Sequence, residues 1–193
     1  MLQDICVADL TSTATKLNGF ACKPVAAANE TDFLPRPRQA WRHEQHHGLP
    51  SHRCQRGEGP GTQHPRHIHV THRLRPRGPE PSHTHPRATE MAFVLEGELE
   101  VGFITTANKL VTKTITKGEV FVFPRGLVHF QKNNGKVPAS AIVAFNSQLP
   151  GTQSIAATLF ASTPTVPDPV LTKAFQIGTK EVEKIKSRLA PKK

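Results

Sequence analysis

The sequence predicts a mostly β fold, a sandwich or barrel of short strands followed by helices. Across residues 89–145, short alternating or β-branched runs are separated by turn residues, which is typical of these all-β architectures. After Pro150 the apolar spacing changes to helical. A chain of 193 residues is long enough for one domain with a substantial core and too short to predict two.

The strand with the clearest pattern is Glu98–Ile104, in which Leu99, Val101 and Phe103 alternate with other residues as in a half-buried strand. The β-branched run 110–115 is its predicted return strand. Glycines and a Pro-Arg-Gly turn separate further apolar runs. The other predicted strands are 91–95, 120–123, 127–130 and 139–145.

Three helices are predicted after residue 150. Ile155 and Leu159 recur at helical spacing, and the segments 169–175 and 180–189 are the other two. Thr179 is a candidate N-cap for the last helix, whose end is rich in Lys and Arg and so suits the helix dipole. Helices that follow a small barrel must bury their apolar face, so we expect a partner subunit to cover it.

The stretch 34–82 differs from the rest of the chain. It holds nine of the Arg residues, no Lys, three Glu and no Asp, so it contributes +6 of the formal charge of +10. Eight of the eleven His and eight of the seventeen Pro also lie there. No helical or strand periodicity is visible, and the composition predicts a disordered or poorly folding segment.

The positive charge first suggests an acidic partner such as nucleic acid. Outside 34–82, however, the chain carries only +4. Trp41 is the one aromatic residue among the clustered arginines, whereas stacking aromatics are usual in single-strand binders. We therefore expect no nucleic-acid partner. We also expect no membrane span, because no stretch reaches about 18 consecutive apolar residues.

Four residues form a candidate metal-binding set: His83, His85, Glu90 and His129. The imidazoles of His83 and His85 share one face of an extended segment, because side chains alternate there. Outside 34–82 the chain has only three His, and all three belong to this set. By ligand chemistry alone manganese, iron, nickel and zinc all fit. Four protein ligands leave positions on an octahedral ion for water or substrate.

Two further features stay open on the residues alone. His67 and His69 repeat the local spacing of the metal-binding set, but we expect them not to bind, because no strand pattern or paired carboxylate surrounds them. Cys6 and Cys22 can form a disulfide or remain free thiols, and with three Cys in the chain the spacing does not decide between these.

The motifs around the four ligands resemble those of plant germin-like proteins, in the cupin superfamily. The first motif reads His83-Thr-His85-Pro-Arg-Ala-Thr-Glu90 and closes at Gly97, although its opening Gly78 lies one residue too close. The second runs from Gly118 through Pro124-Arg-Gly and His129 to Asn133 without deviation. Germin-like text also occurs at 3–10, 18–23 and 171–175. The resemblance covers residues 2–33 and 83–189.

The resemblance implies a cupin jelly-roll β-barrel with a C-terminal helical arm. It implies Mn²⁺ held by His83, His85, Glu90 and His129, with no catalytic residue beyond these ligands. It also implies a disulfide between Cys6 and Cys22. Germins interlock as dimers through their arms and assemble as hexamers, so we expect a homo-oligomer of this kind.

The same resemblance implies a secreted, apoplastic protein with superoxide dismutase activity and a role in plant defence; the alternatives are a non-enzymatic storage or defence cupin and a poorly folding product. Oxalate oxidation is not expected, because a germin Asn that helps to hold oxalate falls at Glu80, whose carboxylate repels a dianion. Asn29-Glu-Thr is a predicted glycosylation site. The first residues show no signal-peptide pattern, so we expect a precursor to supply the export signal.

Residues 34–82 do not resemble a germin, although their number is about right. Codons can be chosen for this stretch so that a frame read one base later encodes germin-like text that ends where the resemblance resumes at His83. We therefore hypothesise compensating frameshifts near Phe33 and Ser82 in the gene or gene model. The expected organisation is a germin segment 1–33, a disordered segment 34–82 that disrupts the first third of the barrel, a metal-binding barrel 83–150 and oligomerisation helices 151–193.

Overall fold

The structure, a computed structural model, describes residues 7, 9, 22–33 and 68–190. Two short 3-10 helices, Val25–Ala27 and Glu30–Phe33, precede the described strands. The strands are β1 (Ile68–Leu74), β2 (Pro79–Thr84), β3 (Glu90–Glu96), β4 (Glu98–Ile104), β5 (Leu110–Thr116), β6 (Val120–Phe123), β7 (Val128–Lys132), β8 (Ala139–Phe145) and β9 (Gln153–Ser154). The helices are α1 (Ile155–Phe160), α2 (Asp168–Phe175) and α3 (Thr179–Leu189).

The strands form two antiparallel sheets, in the orders β1-β8-β3-β6 and β5-β4-β7-β2-β9. Burial alternates along β3, β4, β5 and β8 as predicted for strands with one buried face, and their inward side chains form one core. The predicted mostly β class, a jelly roll of two antiparallel sheets followed by helices, is confirmed. The six strands predicted from the sequence agree with β3 to β8 to within two residues at each end.

Phe33 closes the described core from the N-terminal side. Its side chain is buried in the barrel, where its ring meets that of Phe103 edge-on at a centroid distance of 4.8 Å. Lys23 and Asp32 form an ion pair at 2.7 Å beside it, and Lys109 Nζ donates to the carbonyl oxygen of Ala28 at 3.2 Å. The segment 22–33 therefore belongs to the barrel.

The prediction that all of 34–82 is disordered is wrong for residues 68–82. They form β1 and most of β2, so the predicted boundary at residue 83 lies inside a strand. Every residue except Pro offers a backbone donor and acceptor whatever its side chain. β1 contains no Pro and pairs with β8 from Ile68↔Phe145 to Leu74↔Ala139. Yet within residues 71–82 only Leu74 is buried. Residues 71–82 thus complete the sheets while adding little to the core.

The C-terminal helices pack into a small arm with its own apolar centre of Phe160, Leu171 and Val182. Lys186 reinforces it by donating to Asp168 and to the carbonyl of Val166, both at 2.6 Å. The prediction of Thr179 as an N-cap is wrong, because Thr179 is already the first residue of the helix. The N-cap is Gly178, which has no side chain to cap the helix. Within the described residues, no helix combines the length and apolar character that a membrane crossing requires.

Candidate metal centre

The barrel brings all four predicted ligands together. His83 on β2 lies directly opposite His129 on β7, and His85 follows the end of β2. Glu90 is the first residue of β3 in the other sheet, so the site lies between the sheets. The four residues are between 1% and 3% exposed, which is unusual for polar side chains without a compensating partner.

The ligand atoms converge on Glu90. Its Oε2 lies 2.8 Å from Nε2 of His85, 3.2 Å from Nε2 of His129 and 3.9 Å from Nε2 of His83. Within the described part of the chain this is the one group of its kind, with all ligand atoms inside 4.8 Å of one another. Metal–ligand bonds of about 2.0–2.2 Å place adjacent ligands of an octahedral ion about 3 Å apart, so the cluster has the size of a metal site.

Backbone carbonyls orient all three imidazoles. Nδ1–H of His83 donates to Pro81 O at 2.7 Å, and Nδ1–H of His129 donates to Leu127 O at 2.8 Å. Nδ1–H of His85 donates to Gly151 O at 2.9 Å. Because a carbonyl oxygen only accepts, each neutral ring carries its proton on Nδ1 and directs the lone pair of Nε2 at the centre, as metal-binding His residues do.

The electrostatics favour the deprotonated state that a metal requires. Burial alone would raise the pKa of Glu90, but His129 and His85, when protonated on both ring nitrogens, donate hydrogen bonds from Nε2 and add positive charge, and together these lower it to about 2. Burial, and then the charge of His129, lower the pKa of His83 below its ordinary value of 6.5. At neutral pH the carboxylate of Glu90 is therefore ionised and His83 is neutral.

Several residues that support the site were missed by the sequence reasoning. Gln131 is fully buried and donates from Nε2 to Glu90 Oε1 at 2.6 Å; its Oε1 has no protein donor among the described residues. Phe123 stacks on His129 with ring centroids 4.7 Å apart, and Phe145 meets His85 edge-on at 4.7 Å. Gln131 follows His129 by two residues on β7, so strand alternation was a signal that could have found it.

The other predicted sites are only partly described. His69 lies in β1, contrary to the expectation of no strand there, while His67 lies outside the described residues. Cys22 is disulfide-bonded, but Cys6 also lies outside them, so the pairing stays a prediction. Asn29 is exposed, and its Oδ1 accepts hydrogen bonds from the backbone N and hydroxyl of Thr31.

Comparison with known proteins agrees with this geometry. Residues 58–183 match the cupin family. The chain is 62% identical over 196 residues to germin-like protein 5-1 of Oryza sativa subsp. japonica, covering 100% of this chain and 86% of that protein. The chain belongs to the germin-like proteins of the cupin family. This germin-like chain is also 56% identical over 195 residues to the rhicadhesin receptor of Pisum sativum, with 100% and 88% of the two chains covered. It is similar to a solved oxalate oxidase, with a TM-score of 0.64 and 40% identity over 98% of this chain and 96% of that one.

Proposed function

We propose that this germin-like chain binds manganese through His83, His85, Glu90 and His129 and acts as an extracellular superoxide dismutase. The observation that carries the proposal is the convergence of three Nε2 atoms on Glu90 Oε2 inside the barrel. Neutral imidazole nitrogens and an ionised carboxylate all present lone pairs. Four lone pairs directed at one buried point repel one another unless a cation lies among them.

The choice of manganese rests on the germin likeness, because this ligand set also accepts iron, nickel and zinc. Bound at this centre, manganese supplies one-electron oxidation and reduction. Dismutation converts two superoxide anions and two protons into dioxygen and hydrogen peroxide.

The chain's own residues hold and shield the centre. The Nε2 of Gln131 donates to Oε1 of Glu90, which leaves Oε2 of Glu90 facing the three imidazoles. The rings of Phe123 and Phe145 cover His129 and His85 and exclude water from that side. The Oε1 of Gln131 has no protein donor among the described residues and remains a free hydrogen-bond acceptor beside Glu90.

Oxalate oxidation is disfavoured by Glu80. This residue lies on β2 directly across from Gln131 on β7, and side chains directly opposite one another share a face of the sheet. Gln131 is hydrogen-bonded to Glu90, so the half-buried Glu80 lies on the face that carries the metal centre. Its carboxylate repels an approaching dicarboxylate through like charge.

The proposal is tested by metal analysis and superoxide turnover of the same preparation. The purified chain is offered manganese, iron, nickel and zinc in competition, its metal content is measured by elemental analysis, and superoxide consumption is then assayed. We expect about one manganese per chain and turnover that disappears with a chelator. Bound manganese without turnover supports the alternative of a non-enzymatic storage or defence cupin, and absence of any bound metal overturns the proposal of a metal-dependent dismutase.

The proposal of an oligomer is supported by apolar side chains that are exposed on the surface of the single chain. Phe93 and Ile142 are direct cross-strand partners on the outer face of their sheet and are 38% and 36% exposed. On the arm, Val170 and Phe175 are 55% and 44% exposed. Exposed apolar clusters of this kind are typical of subunit interfaces. We expect light scattering to give a hexamer, six times the chain mass of 21.2 kDa, and a monomer contradicts this.

A further inference from the structure

One connection in the barrel joins the metal centre to the root of the helical arm. The linker, defined as residues 146–152, connects β8 to β9, which is followed by α1. It lies against the loop 85–89, which begins with the ligand His85 and leads into the ligand Glu90 at the start of β3.

Arg87, in the middle of that loop, holds the linker with both backbone and side chain. Its Nε donates to Leu149 O at 2.6 Å, and its backbone N donates to Pro150 O at 3.2 Å. The guanidinium also packs against Gly151: a Cβ built there would lie 2.5 Å from Nη2 of Arg87, and the φ of Gly151 is +67°. Gly151 is therefore suited both to this backbone conformation and to the close approach of Arg87.

The same linker supplies the hydrogen-bond acceptor of one metal ligand. The carbonyl of Gly151 receives Nδ1–H of His85 at 2.9 Å, from a position 66 residues away in the chain. The acceptors of His83 and His129 are carbonyls only two residues away, Pro81 and Leu127. Those two rings are oriented by local backbone, whereas His85 depends on a tertiary contact.

We infer that Arg87 is a positioning residue of the metal centre, which acts by holding the linker so that Gly151 O fixes the tautomer and direction of His85. Without the guanidinium, Leu149 O loses its charge-assisted hydrogen bond and only the backbone bond from residue 87 to Pro150 O remains. Gly151 O is then free to move from Nδ1. His85 then no longer has a fixed proton position. This inference rests on the proposed metal-binding function, but its effect on His85 exists without metal.

The role is separable from general stability. Arg87 is exposed and is not part of the apolar core, so Arg87→Met keeps much of the aliphatic stem and removes only the guanidinium. Arg87→Lys keeps the charge but lacks Nε. Arg188→Met, on the exposed face of α3, is the matched control for loss of an arginine far from both loop and linker in the chain.

The experiment uses the full chain labelled with ¹⁵N-histidine. In metal-free protein, NMR is expected to show His85 protonated on Nδ1 in wild type and Arg188→Met, a mixture of tautomers in Arg87→Met, and unchanged His83 and His129. Manganese affinity is then expected to fall roughly 10–100-fold in Arg87→Met, the range typical of residues behind metal ligands. Arg87→Lys should lie between wild type and Arg87→Met in both measurements.

The outcomes decide separately between the two proposals. If wild type binds no metal, the proposed function fails, and the NMR result alone decides the role of Arg87. An unchanged His85 tautomer in Arg87→Met overturns the inference, as does an equal change in Arg188→Met. If Arg87→Met does not fold, Arg87→Lys decides, and a wild-type tautomer and affinity in that variant overturn the inference.

Discussion

His129→Ala tests the metal centre most directly. The change removes the Nε2 atom that lies 3.2 Å from Glu90 Oε2, on a side chain that is 1% exposed. Loss of one of four ligands should cost several kcal/mol of metal affinity; about 4 kcal/mol corresponds to a roughly thousandfold weaker dissociation constant. At micromolar manganese, the variant should then retain almost none.

A loss of metal through unfolding must be separated from a loss through the missing ligand. The ring of His129 stacks on Phe123 at 4.7 Å, so the alanine variant also creates a cavity. Phe123→Ala is the matched control, because it removes the other ring of the stack and leaves all four ligands in place. We expect Phe123→Ala to lose about 3–5 kcal/mol of unfolding free energy and to keep its metal.

The assay is elemental analysis after dialysis, with calorimetric titration of manganese and a chelator-treated melt of each variant. His67→Ala is the second control, and it should bind metal as wild type does. Equal metal loss in His129→Ala and His67→Ala would show that the wrong cluster has been chosen. Equal metal loss in His129→Ala and Phe123→Ala would show that barrel integrity, rather than the ligand, decides binding.

Three further predictions follow from other features. Bound metal should be released as pH falls from about 6 to 4, because protons compete for the imidazoles. In the metal-free chain, the pKa values of His83 and Glu90 are lower in the folded state than in the unfolded state, so the folded state binds fewer protons. The free energy of unfolding therefore decreases as pH falls below 6.5, and decreases again as pH falls from 4.5 to about 2. Thermal melts that change with neither acid nor chelator contradict a metal-stabilised barrel. Phe33→Ala should lower the free energy of unfolding by about 3–5 kcal/mol, as for other buried Phe residues, and a chemical-denaturation midpoint equal to wild type refutes the described packing. Asn29 should carry a glycan in apoplast-extracted protein, and mass spectrometry showing it unmodified counts against the secretory assignment.

The origin of the stretch 34–82 is a question for nucleic-acid sequencing. Genomic DNA and transcript read across Phe33 and Ser82 should show two compensating shifts of frame. A single unbroken frame shared with intact relatives is incompatible with that hypothesis. The structure shows how the altered stretch affects the barrel: β1 and β2 still pair through their backbones, but within residues 71–82 only Leu74 is buried.

The strands from β3 to β8 could be read from the sequence because their signal is local. Leu99, Val101 and Phe103 alternate along β4, and all three are fully buried, so hydrophobic periodicity and tertiary burial agree. β1 was missed because its alternation is short and interrupted: Ile68, Val70 and Leu74 fall at alternate positions, but His72 occupies the remaining position of that face. Its place is set by its pairing with β8, more than 60 residues later in the chain, which no short window of sequence contains.

The sequence by itself determined the type and number of the candidate ligands. The three imidazoles and the carboxylate of His83, His85, Glu90 and His129 are given by the amino-acid sequence. The first pair is spaced i, i+2, and side chains with this spacing lie on the same face of any extended segment. The tertiary structure alone decided how those ligands are held. Gln131 reaches Glu90 across the barrel, and Gly151, positioned against Arg87, provides the acceptor for His85. Such contacts join residues far apart in the chain, and hydrogen bonds depend on distances and angles that exist only once both sheets have closed around the site.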